Sequence, residues 1–350
     1  ESNPNGMINA VSDYAYAFAA TCQQSVGGLM QKQKGIQRVE SAEEFQKIEY
    51  EYVIVDEAAR VTPPDLMIAM AQGKRVILVG DHRQLPHIVD NDVLSKLAGG
   101  AEEELLKRES GIERDEENWS RISLFEHMFI NRLPALEKDD GIPRRVTLDT
   151  QYRMHPTLGD FVSRNFYQRF DKSEAFRSGR PASDFAHALP GTGGKPAIWL
   201  DVPGGMGMQR RSGTSLIRLA EAIAITSQLR EWMESEEGHA LSFGVISFYK
   251  DQSELIKRHL GKVPPDEQRR LRIGTVDSFQ GMEFDVVFLS MVRSMPDGWE
   301  ACSDNEELQA RRLFGHLCLY NRLNVAMSRQ KKLLVVAGDS GLLSTELAAR

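Results

Sequence analysis

The sequence predicts an α/β protein built on parallel sheets, and its hydrophobic pattern supports this fold class. Five short apolar runs are spread along the chain, and they are continuous, without the alternation of a half-exposed strand. This character is typical of strands that are covered on both faces. Segments with helical periodicity separate the runs, and strands that alternate with helices indicate a parallel sheet. The runs are residues 52–57, 75–81, 243–248, 285–292 and 332–339.

The length of the chain predicts two domains. With roughly 150 residues per domain as a guide, the 350 residues are enough for two hydrophobic cores. We place the first domain at residues 1–145, with a charged, helical insertion near 99–120, and the second at residues 146–350. Residues 215–235 carry apolar side chains at helical spacing and are predicted to form one helix of the second domain.

Composition excludes several classes of protein. Acidic residues outnumber basic ones by 50 to 43, which gives a net charge of -7, so any nucleic acid must bind in a local basic cleft. The three cysteines show no zinc-ligand spacing and are typical of reduced thiols, which predicts a cytoplasmic protein. No apolar run approaches the ~18 residues of a membrane span, so no membrane partner is expected.

Two adjacent carboxylates, Asp56 and Glu57, follow the first apolar run. Such a pair after a strand suits phosphoryl transfer, in which one acid binds Mg²⁺ and the other polarises the attacking water. Asp56 would take the metal and Glu57 the water. On its own the pair is a weak indication, because acids at a strand end are often only solvated.

The second run ends near Asp81 and Gln84, which are predicted to lie at the same edge of the sheet, since ligands of parallel sheets bind beyond the carboxyl ends of the strands. The amide of Gln84 could hydrogen-bond a γ-phosphate or its attacking water. Further on, the stretch QYRMHP offers Tyr152 for stacking on a base and Arg153 for bidentate contact with phosphate.

Three further residues flank the last two runs. Glu283 precedes the fourth run, where its carboxylate could accept hydrogen bonds from ribose hydroxyls. Arg322 and Arg329 precede the fifth run, and an arginine in this place could neutralise charge on a γ-phosphate in the transition state. Each of these residues taken singly also has an ordinary structural explanation, as a core aromatic, a surface ion pair or a turn cap.

Taken together, the motifs resemble those of the superfamily 1 helicases, in the branch of the nonsense-mediated-decay RNA helicase and its DNA-helicase relatives. The resemblance spans residues 53–339. It implies two RecA-like domains of the P-loop NTPase type, with ATP and Mg²⁺ between them and single-stranded nucleic acid across their top. The motifs are VDEAA, GDHRQLP, QYRMHP, VISFYKDQ, TVDSFQGMEFD and RLNVAMSR.

The resemblance also implies roles for individual residues. Residues matching Asp56 and Glu57 hold Mg²⁺ and activate water in that family, and the residue matching Gln84 senses the γ-phosphate, beside Asp81. Residues matching Arg153 and Arg329 contact the γ-phosphate, with Arg322 nearby. The residue matching Tyr152 stacks near adenine, and the one matching Glu283 binds ribose. Thr21 and Thr275 match positions that touch the nucleic-acid backbone.

One element of a nucleotide site is absent from the sequence. No G-x-x-x-x-G-K-[ST] loop, which would cradle the phosphates, occurs in the 350 residues. The stretches at 191–196 and 71–76 contain Gly-Lys, but they lack the first glycine and the hydroxyl residue. We therefore expect an incomplete first domain, weak ATP binding and negligible turnover, with the loop in an amino-terminal part of the same protein.

Two other interpretations remain open. The chain could be a non-catalytic module that binds nucleic acid or a partner and keeps the helicase fold, or one half of a split enzyme whose phosphate loop lies on another polypeptide. The intact acid pair, glutamine and arginines argue against the non-catalytic module. The sequence identifies no reader of the ribose 2′-hydroxyl, and we favour DNA over RNA only slightly.

Overall fold

A computed structural model describes residues 17–27, 50–86, 123–295 and 306–349. The chain divides into two compact units, residues 1–145 and 146–350. The charged insertion predicted near 99–120 lies outside the described residues. Among the residues that are described, no helix combines the length and the apolar character needed to cross a membrane.

Unit 1 is built on two parallel strands with a helix between them. Strands β1 and β2 pair in register from Tyr50 opposite Gly73 to Val55 opposite Leu78. The Thr62 hydroxyl caps the intervening helix by accepting from Asp65 N at 3.4 Å, which satisfies one of the unpaired amides at its start. The elements are β1 Tyr50–Val55, α1 Pro63–Met70, β2 Gly73–Leu78, α2 Leu124–His127 and, after a π-helical turn at Met128–Arg132, α3 Leu133–Asp140.

Within the described residues, one face of the β1–β2 pair is buried and the other is largely exposed. Val55 and Leu66 belong to the core of unit 1. On the opposite face, Tyr52 is 55% exposed, Ile54 66% and Ile77 45%. The expectation that these two strands are covered on both faces is therefore wrong for the unit as the structure has it, although both strands were placed correctly from their apolar runs.

Unit 2 contains a five-stranded parallel sheet in the order β5-β11-β10-β8-β9. Short β3 and β4 form a separate parallel pair, and β6 and β7 form an antiparallel hairpin. The predicted parallel α/β class is confirmed by the five-stranded sheet. The strands are β3 Thr150–Gln151, β4 Arg177–Ser178, β5 Ala197–Asp201, β6 Arg210–Ser212, β7 Ser215–Ile217, β8 Phe243–Ser247, β9 Leu271–Thr275, β10 Phe284–Ser290 and β11 Gln330–Gly338.

The helices of unit 2 correct one prediction. The helix expected over 215–235 begins only at Leu219, because the first residues of that stretch pair with Arg210–Ser212 across a turn in which Gly213 has a φ of +59°. The helices are α4 Pro156–Val162, α5 Leu219–Met233, α6 Lys250–Leu260, α7 Pro265–Gln268, α8 Glu306–Phe314, α9 Tyr320–Ala326 and α10 Glu346–Ala349.

The core of unit 2 lies on both faces of the central strands. All five residues of β8 are buried, and so are the last five residues of β10. Trp232 of α5 packs on Phe288 of β10, with ring centroids 5.4 Å apart. Coverage of both faces, expected from the apolar runs, is thus confirmed for these strands, as a parallel sheet with helices on its faces requires.

A fully buried ion pair braces the carboxyl end of β10. Arg218 and Glu221 are both completely buried, with Nη1 and Oε2 3.5 Å apart. Glu221 accepts from Ser290 Oγ at 2.6 Å and from the Val292 amide at 3.0 Å. Val292 has a φ of +67°, which is a strained conformation for a β-branched residue. The Glu221 carboxylate therefore accepts a hydrogen bond from an amide in a turn whose backbone conformation is energetically unfavourable.

Burial raises the pKa of Glu221 to about 7, against the hydrogen bonds from Ser290 and Val292 and the charge of Arg218. The folded-state pKa lies above the unfolded value of 4.5. Between these two pH values the Glu221 carboxyl is therefore protonated in the folded chain and ionised in the unfolded chain. The stability from this group is full below pH 4.5 and is lost as pH rises towards about 7.

We expect Glu221→Gln to flatten this pH dependence, because the amide cannot titrate. The measurement is the melting temperature of the variant and of the unaltered chain across this pH range, with Glu231→Gln on the exposed side of the same helix as the control. An unchanged slope in the Glu221 variant would contradict the assignment.

Candidate functional site

The turn after β1 presents the two predicted carboxylates. Asp56 and Glu57 are both exposed, and Asp56 Oδ1 accepts from the Glu57 amide at 2.9 Å. Glu57 has a φ of 53° and a ψ of 35°, in the left-handed region that residues other than glycine rarely adopt. The acid pair therefore lies on strained backbone at the carboxyl end of a strand.

The residues next to this turn show how the strain is held in place. Ala58 is completely buried, and its amide donates to Val79 O at 2.8 Å, beyond the end of β2. A Cβ on Gly80 would lie 3.0 Å from Ala59 N and 3.2 Å from Phe125 Cζ. The chain after β2 thus packs closely against the acid turn, and a glycine is needed at this position.

The structure brings Asp81 and Gln84 to the same edge of the β1–β2 pair. Asp81 Oδ1 accepts from the Arg83 amide at 2.9 Å. Its other oxygen accepts from Gln84 Nε2 at 2.7 Å. Asp81 therefore shapes the turn and fixes the orientation of the Gln84 amide, so that four of the predicted residues of unit 1, Asp56, Glu57, Asp81 and Gln84, share one strand edge.

In unit 2 the predicted Arg153 and Glu283 form an ion pair at the amino edge of the sheet. Arg153 Nε lies 3.1 Å from Glu283 Oε2, and Lys331 Nζ lies 2.6 Å from Oε1. These partners, Lys331 first, lower the pKa of Glu283. Arg153 Nη1 also donates to Ser328 O at 3.4 Å. Sequence reasoning missed Lys331, although it lies only two positions after Arg329.

The stretch around Tyr152 is fixed by a residue that sequence reasoning did not single out. Gln151 Oε1 accepts from the amides of Arg153 and Met154 at 2.9 and 2.7 Å. Its Nε2 donates to Met154 O at 2.9 Å and to Ser178 Oγ at 2.6 Å. One side chain thus closes the turn that carries the predicted aromatic and guanidinium groups.

Tyr152 lies over a glycine and keeps much of its ring in solvent. The side chain is 62% exposed. A Cβ on Gly179 would lie 2.3 Å from Tyr152 Cε1 and 2.9 Å from Thr150 Cγ2, so the ring occupies space that only glycine leaves open. A ring supported from below and exposed above is suited to stacking on a planar base.

Arg329 is buried within unit 2. Its side chain is 2% exposed, Nε donates to Val325 O at 3.1 Å, and Nη2 donates to Ser328 Oγ at 3.0 Å. These bonds fix the guanidinium against the end of α9. Its backbone carbonyl accepts from Phe284 N at 3.0 Å, which places the residue at the amino edge of the sheet, as Arg153 and Glu283 are.

The structure does not bring Arg322 to this group. Arg322 Nη2 lies 3.2 Å from Asp277 Oδ1, and Asp277 follows the carboxyl end of β9. Thr275 is the last residue of that strand. Arg322 and Thr275 therefore belong to the carboxyl edge of the sheet, whereas Arg153 and Glu283 belong to the amino edge.

Thr21 lies in a turn of unit 1 and not at a strand end. Its hydroxyl accepts from Gln24 N at 3.2 Å, at the start of the 3-10 turn Gln24–Val26. Residues 17–21 form no strand in the structure. Thr21 is exposed.

The two Gly-Lys stretches rejected as phosphate loops have other structures. Gly191, Gly193 and Gly194 adopt positive φ in a turn that leads into β5. Gly73 is the first residue of β2. Neither glycine segment leads into the start of a helix, where phosphate would be bound, so both rejections agree with the structure.

Two family models match this sequence, both described as an AAA domain, over residues 37–92 and 121–341. The second match covers more than half of the chain. The chain belongs to this AAA domain family. With the helicase relatives below, the match confirms the resemblance to superfamily 1 helicases of the nonsense-mediated-decay branch, and the five-stranded parallel sheet agrees with a RecA-like P-loop helicase fold.

The chain is similar to curated helicases over most of its length. "Regulator of nonsense transcripts 1" of Dictyostelium discoideum is 30% identical over 305 residues, which are 85% of this chain and 19% of that protein. "ATP-dependent helicase NAM7" of Saccharomyces cerevisiae is 28% identical over 296 residues, which are 82% of this chain and 25% of that protein. The chain thus spans about a quarter or less of the length of these two relatives.

Among solved structures, the Arterivirus nonstructural protein 10 helicase is 16% identical, with a TM-score of 0.32. The alignment covers 83% of this chain and 41% of that one. The two structures superimpose too loosely for their sites to be compared.

At most positions an alanine variant is more stable than a glycine variant, and the strained backbone at Glu57 should reverse this order of stability. We expect Glu57→Gly to be more stable than Glu57→Ala by about 1 kcal/mol, because only glycine adopts left-handed backbone without steric cost. At Glu51, in the extended part of β1, the usual order should hold. The measurement is urea unfolding of all four variants, and an alanine that is the more stable at Glu57 would contradict the backbone assignment.

Proposed function

We propose that this chain is part of an ATP-dependent helicase that couples ATP hydrolysis to movement along single-stranded nucleic acid. The observation that carries the proposal is the turn after β1, where two neighbouring carboxylates stay exposed and Glu57 is strained. Strained backbone that the surrounding fold holds in place is concentrated at functional sites. Kinship with ATP-dependent helicases makes ATP hydrolysis the reaction that suits this pair.

The acid turn fits a magnesium site of the type that accompanies nucleotides. Mg²⁺ is usually bound by one or two carboxylates together with phosphate oxygens and waters. In agreement, no cluster of three or more His, Cys, Asp or Glu side chains that could hold a metal occurs within the described residues. We assign Asp56 to this ion, which would neutralise charge that develops on the transferred phosphoryl group.

Glu57 is assigned to the attacking water and Gln84 to the γ-phosphate. An exposed carboxylate next to the metal ligand can accept a proton from water and orient it for in-line attack. The hydrogen bond from Gln84 Nε2 to Asp81 Oδ2 fixes the orientation of the amide that we assign to the γ-phosphate. Asp81 therefore acts as the positioning residue for Gln84.

The residues of unit 2 are assigned to the other parts of ATP. The ion pair with Glu283 orients the Arg153 guanidinium. A phosphate of ATP can replace the Glu283 carboxylate, because a guanidinium binds phosphate and carboxylate in the same geometry. Glu283, still paired with Lys331, would accept from ribose hydroxyls. The exposed ring of Tyr152 would stack on adenine.

The buried state of Arg329 favours a second candidate function. To reach a γ-phosphate, Arg329 must first release Val325 O and Ser328 Oγ. A chain in which it never does so would bind nucleic acid or a partner without turnover. The non-catalytic module therefore stays in competition with the helicase, and the activity of Glu57 variants distinguishes the two.

Without a phosphate loop, the 350 residues lack the backbone amides and the lysine that would bind the β-phosphate. We propose that the loop belongs to an amino-terminal part of the same protein, which also agrees with the small share of the relatives that this chain spans. Single-stranded nucleic acid, with DNA slightly favoured, would contact Thr275 and Thr21 through its backbone.

Hydrolysis of ATP by the 350 residues should not exceed that of the Glu57→Gln variant, with or without single-stranded DNA. A longer product of the same gene that includes the loop should hydrolyse ATP in the presence of DNA. There Glu57→Gln should lower the rate by about a hundredfold or more, as for the loss of a general base. Equal rates for the longer product and its variant would favour the non-catalytic module.

Weak binding of a fluorescent ATP analogue should depend on Mg²⁺ through Asp56. We expect Asp56→Asn to remove most of the Mg²⁺ dependence, because the amide oxygen is a neutral and weaker ligand. The measurement is anisotropy of the analogue with Mg²⁺ or with a chelator, and the matched control is Asp139→Asn at the exposed end of α3. The same Mg²⁺ dependence in both variants would contradict the metal assignment.

A further inference from the structure

Basic side chains from separate segments meet at the carboxyl edge of β8, β9 and β10. Arg293 follows β10, and Arg322 lies in the first turn of α9. His316 lies between α8 and α9, with its ring centroid 5.1 Å from that of Tyr249, which follows β8. Arg322 Nη2 lies 3.2 Å from Asp277 Oδ1, after β9.

The turn that carries His316 is pressed against its neighbours. Gly315 has a φ of +58°, and a Cβ at this position would lie 2.7 Å from Tyr249 Oη and 3.6 Å from Arg293 Cζ. A side chain at this position would clash with the Tyr249 hydroxyl and would strain the backbone. Glycine therefore allows Arg293, the turn and Tyr249 to form one contiguous surface.

The backbone under Arg293 is also fixed. The buried Glu221 carboxylate accepts from the amide of the strained Val292, the residue before Arg293. Arg293 Nε donates to Leu313 O at 2.7 Å, and Nη2 donates to Arg312 O. Both acceptors are neutral carbonyls at the end of α8, so no carboxylate in these contacts cancels the charge of Arg293.

Arginine side chains are grouped at this edge although the chain as a whole is negative. Burial, then the charges of Arg322 and Arg293, lowers the pKa of His316, and Asp277 opposes them. Among the described residues, an ion pair in this group joins Arg322 to Asp277. Arg311 adds a further positive charge, which acts on the Cys318 thiol together with Arg293.

We propose that Arg293, Arg322 and the Gly315-His316 turn form a cationic patch that binds phosphates of single-stranded nucleic acid. This contact would be additional to the one assigned to Thr275, and it rests on the proposed function. Thr275 O accepts from Ser278 Oγ at 2.7 Å, so the threonine, Asp277 and the patch follow one another along the same edge. A strand that passes Thr275 would meet the patch at its next phosphates.

Asp277 gives the proposal a test in two directions. Glutamine in place of Arg322 or Arg293 removes a charge-assisted phosphate contact, which weakens binding roughly tenfold. Asp277→Asn removes the carboxylate that pairs with Arg322 and would compete with phosphate for it, so this variant should tighten binding instead. A purely structural ion pair would predict loss of binding or of stability in both cases.

The experiment measures binding of labelled oligothymidine to the 350-residue chain by anisotropy, at several salt concentrations. Each arginine variant should lower the slope of log K against log salt by roughly 0.7, the value for one phosphate contact on a single strand. Arg322→Lys should restore part of the affinity. The matched control is Arg258→Gln, an exposed arginine at the end of α6 and at the opposite edge of the sheet. Melting temperatures show which variants stay folded.

The outcomes separate the patch from the proposed function. Loss in the Arg293 and Arg322 variants, with a gain in Asp277→Asn and no change in Arg258→Gln, supports the patch. Loss only in Thr275→Ala overturns the patch and leaves nucleic-acid binding intact. Equal effects of Arg258→Gln and Arg322→Gln, or weaker binding by a folded Asp277→Asn, also overturn it. If the unaltered chain does not bind at low salt, the patch and the nucleic-acid part of the proposed function fail together for this chain.

Discussion

The parallel pairing of β10 between β8 and β11 is the constraint on which unit 2 depends. Because the five strands run in the same direction, their amino ends share one edge and their carboxyl ends the other. Glu283 precedes β10 and Arg293 follows it, so a single buried strand connects one residue that we propose for ATP binding with one that we propose for the cationic patch. A change in the register of β10 would displace both residues, which ties the two chemistries to the packing of the sheet core.

Two strand ends carry strained residues, and the fold holds them in different ways. Glu57 is fixed by neighbours, because Ala58 is buried and its amide is bonded to Val79 O. Val292 is fixed by a side chain, the carboxylate of Glu221. Each conformation costs of order 1–3 kcal/mol, a large fraction of the stability of a domain. The first strained turn presents the acid pair, and the second sets the direction in which Arg293 leaves the sheet.

The five apolar runs correspond to β1, β2, β8, β10 and β11, because long apolar runs reflect burial, whereas the two outer strands of the unit 2 sheet, β5 and β9, are not among them. The prediction failed where pairing overrode periodicity: Ser215–Ile217 continue the helical pattern of α5 but pair with the neighbouring strand across Gly213. The open face of β1 and β2 was also not foreseen, because an apolar run does not state what covers it. These two errors come from tertiary contacts that no local pattern contains.

For the candidate site, the motifs identified the polar residues better than they predicted the partners of those residues. The sequence pointed to Arg153 and Glu283 as separate ligands, whereas the structure pairs them and adds Lys331. It grouped Arg322 with Arg329, but the six residues between them lead from α9 to the start of β11, so the two guanidinium groups lie at opposite edges of the sheet. Gln151 and Gly179 were missed because their roles depend on neighbours in the fold. The Gln151 amide bonds to several groups around one turn, and Gly179 leaves space for the Tyr152 ring.

The separation of the two arginines also bears on the acidic composition of the chain. Charges more than about 10 Å apart are largely screened from one another at ordinary ionic strength, so the net charge of -7 describes the chain only at a distance. A phosphate at the carboxyl edge of unit 2 is affected mainly by the side chains within that range, and Arg293 and Arg322 are the ones that we propose to contact it. The acidic residues elsewhere would slow the approach of a strand without preventing its binding, and they would confine that binding to the few surfaces where arginines are grouped.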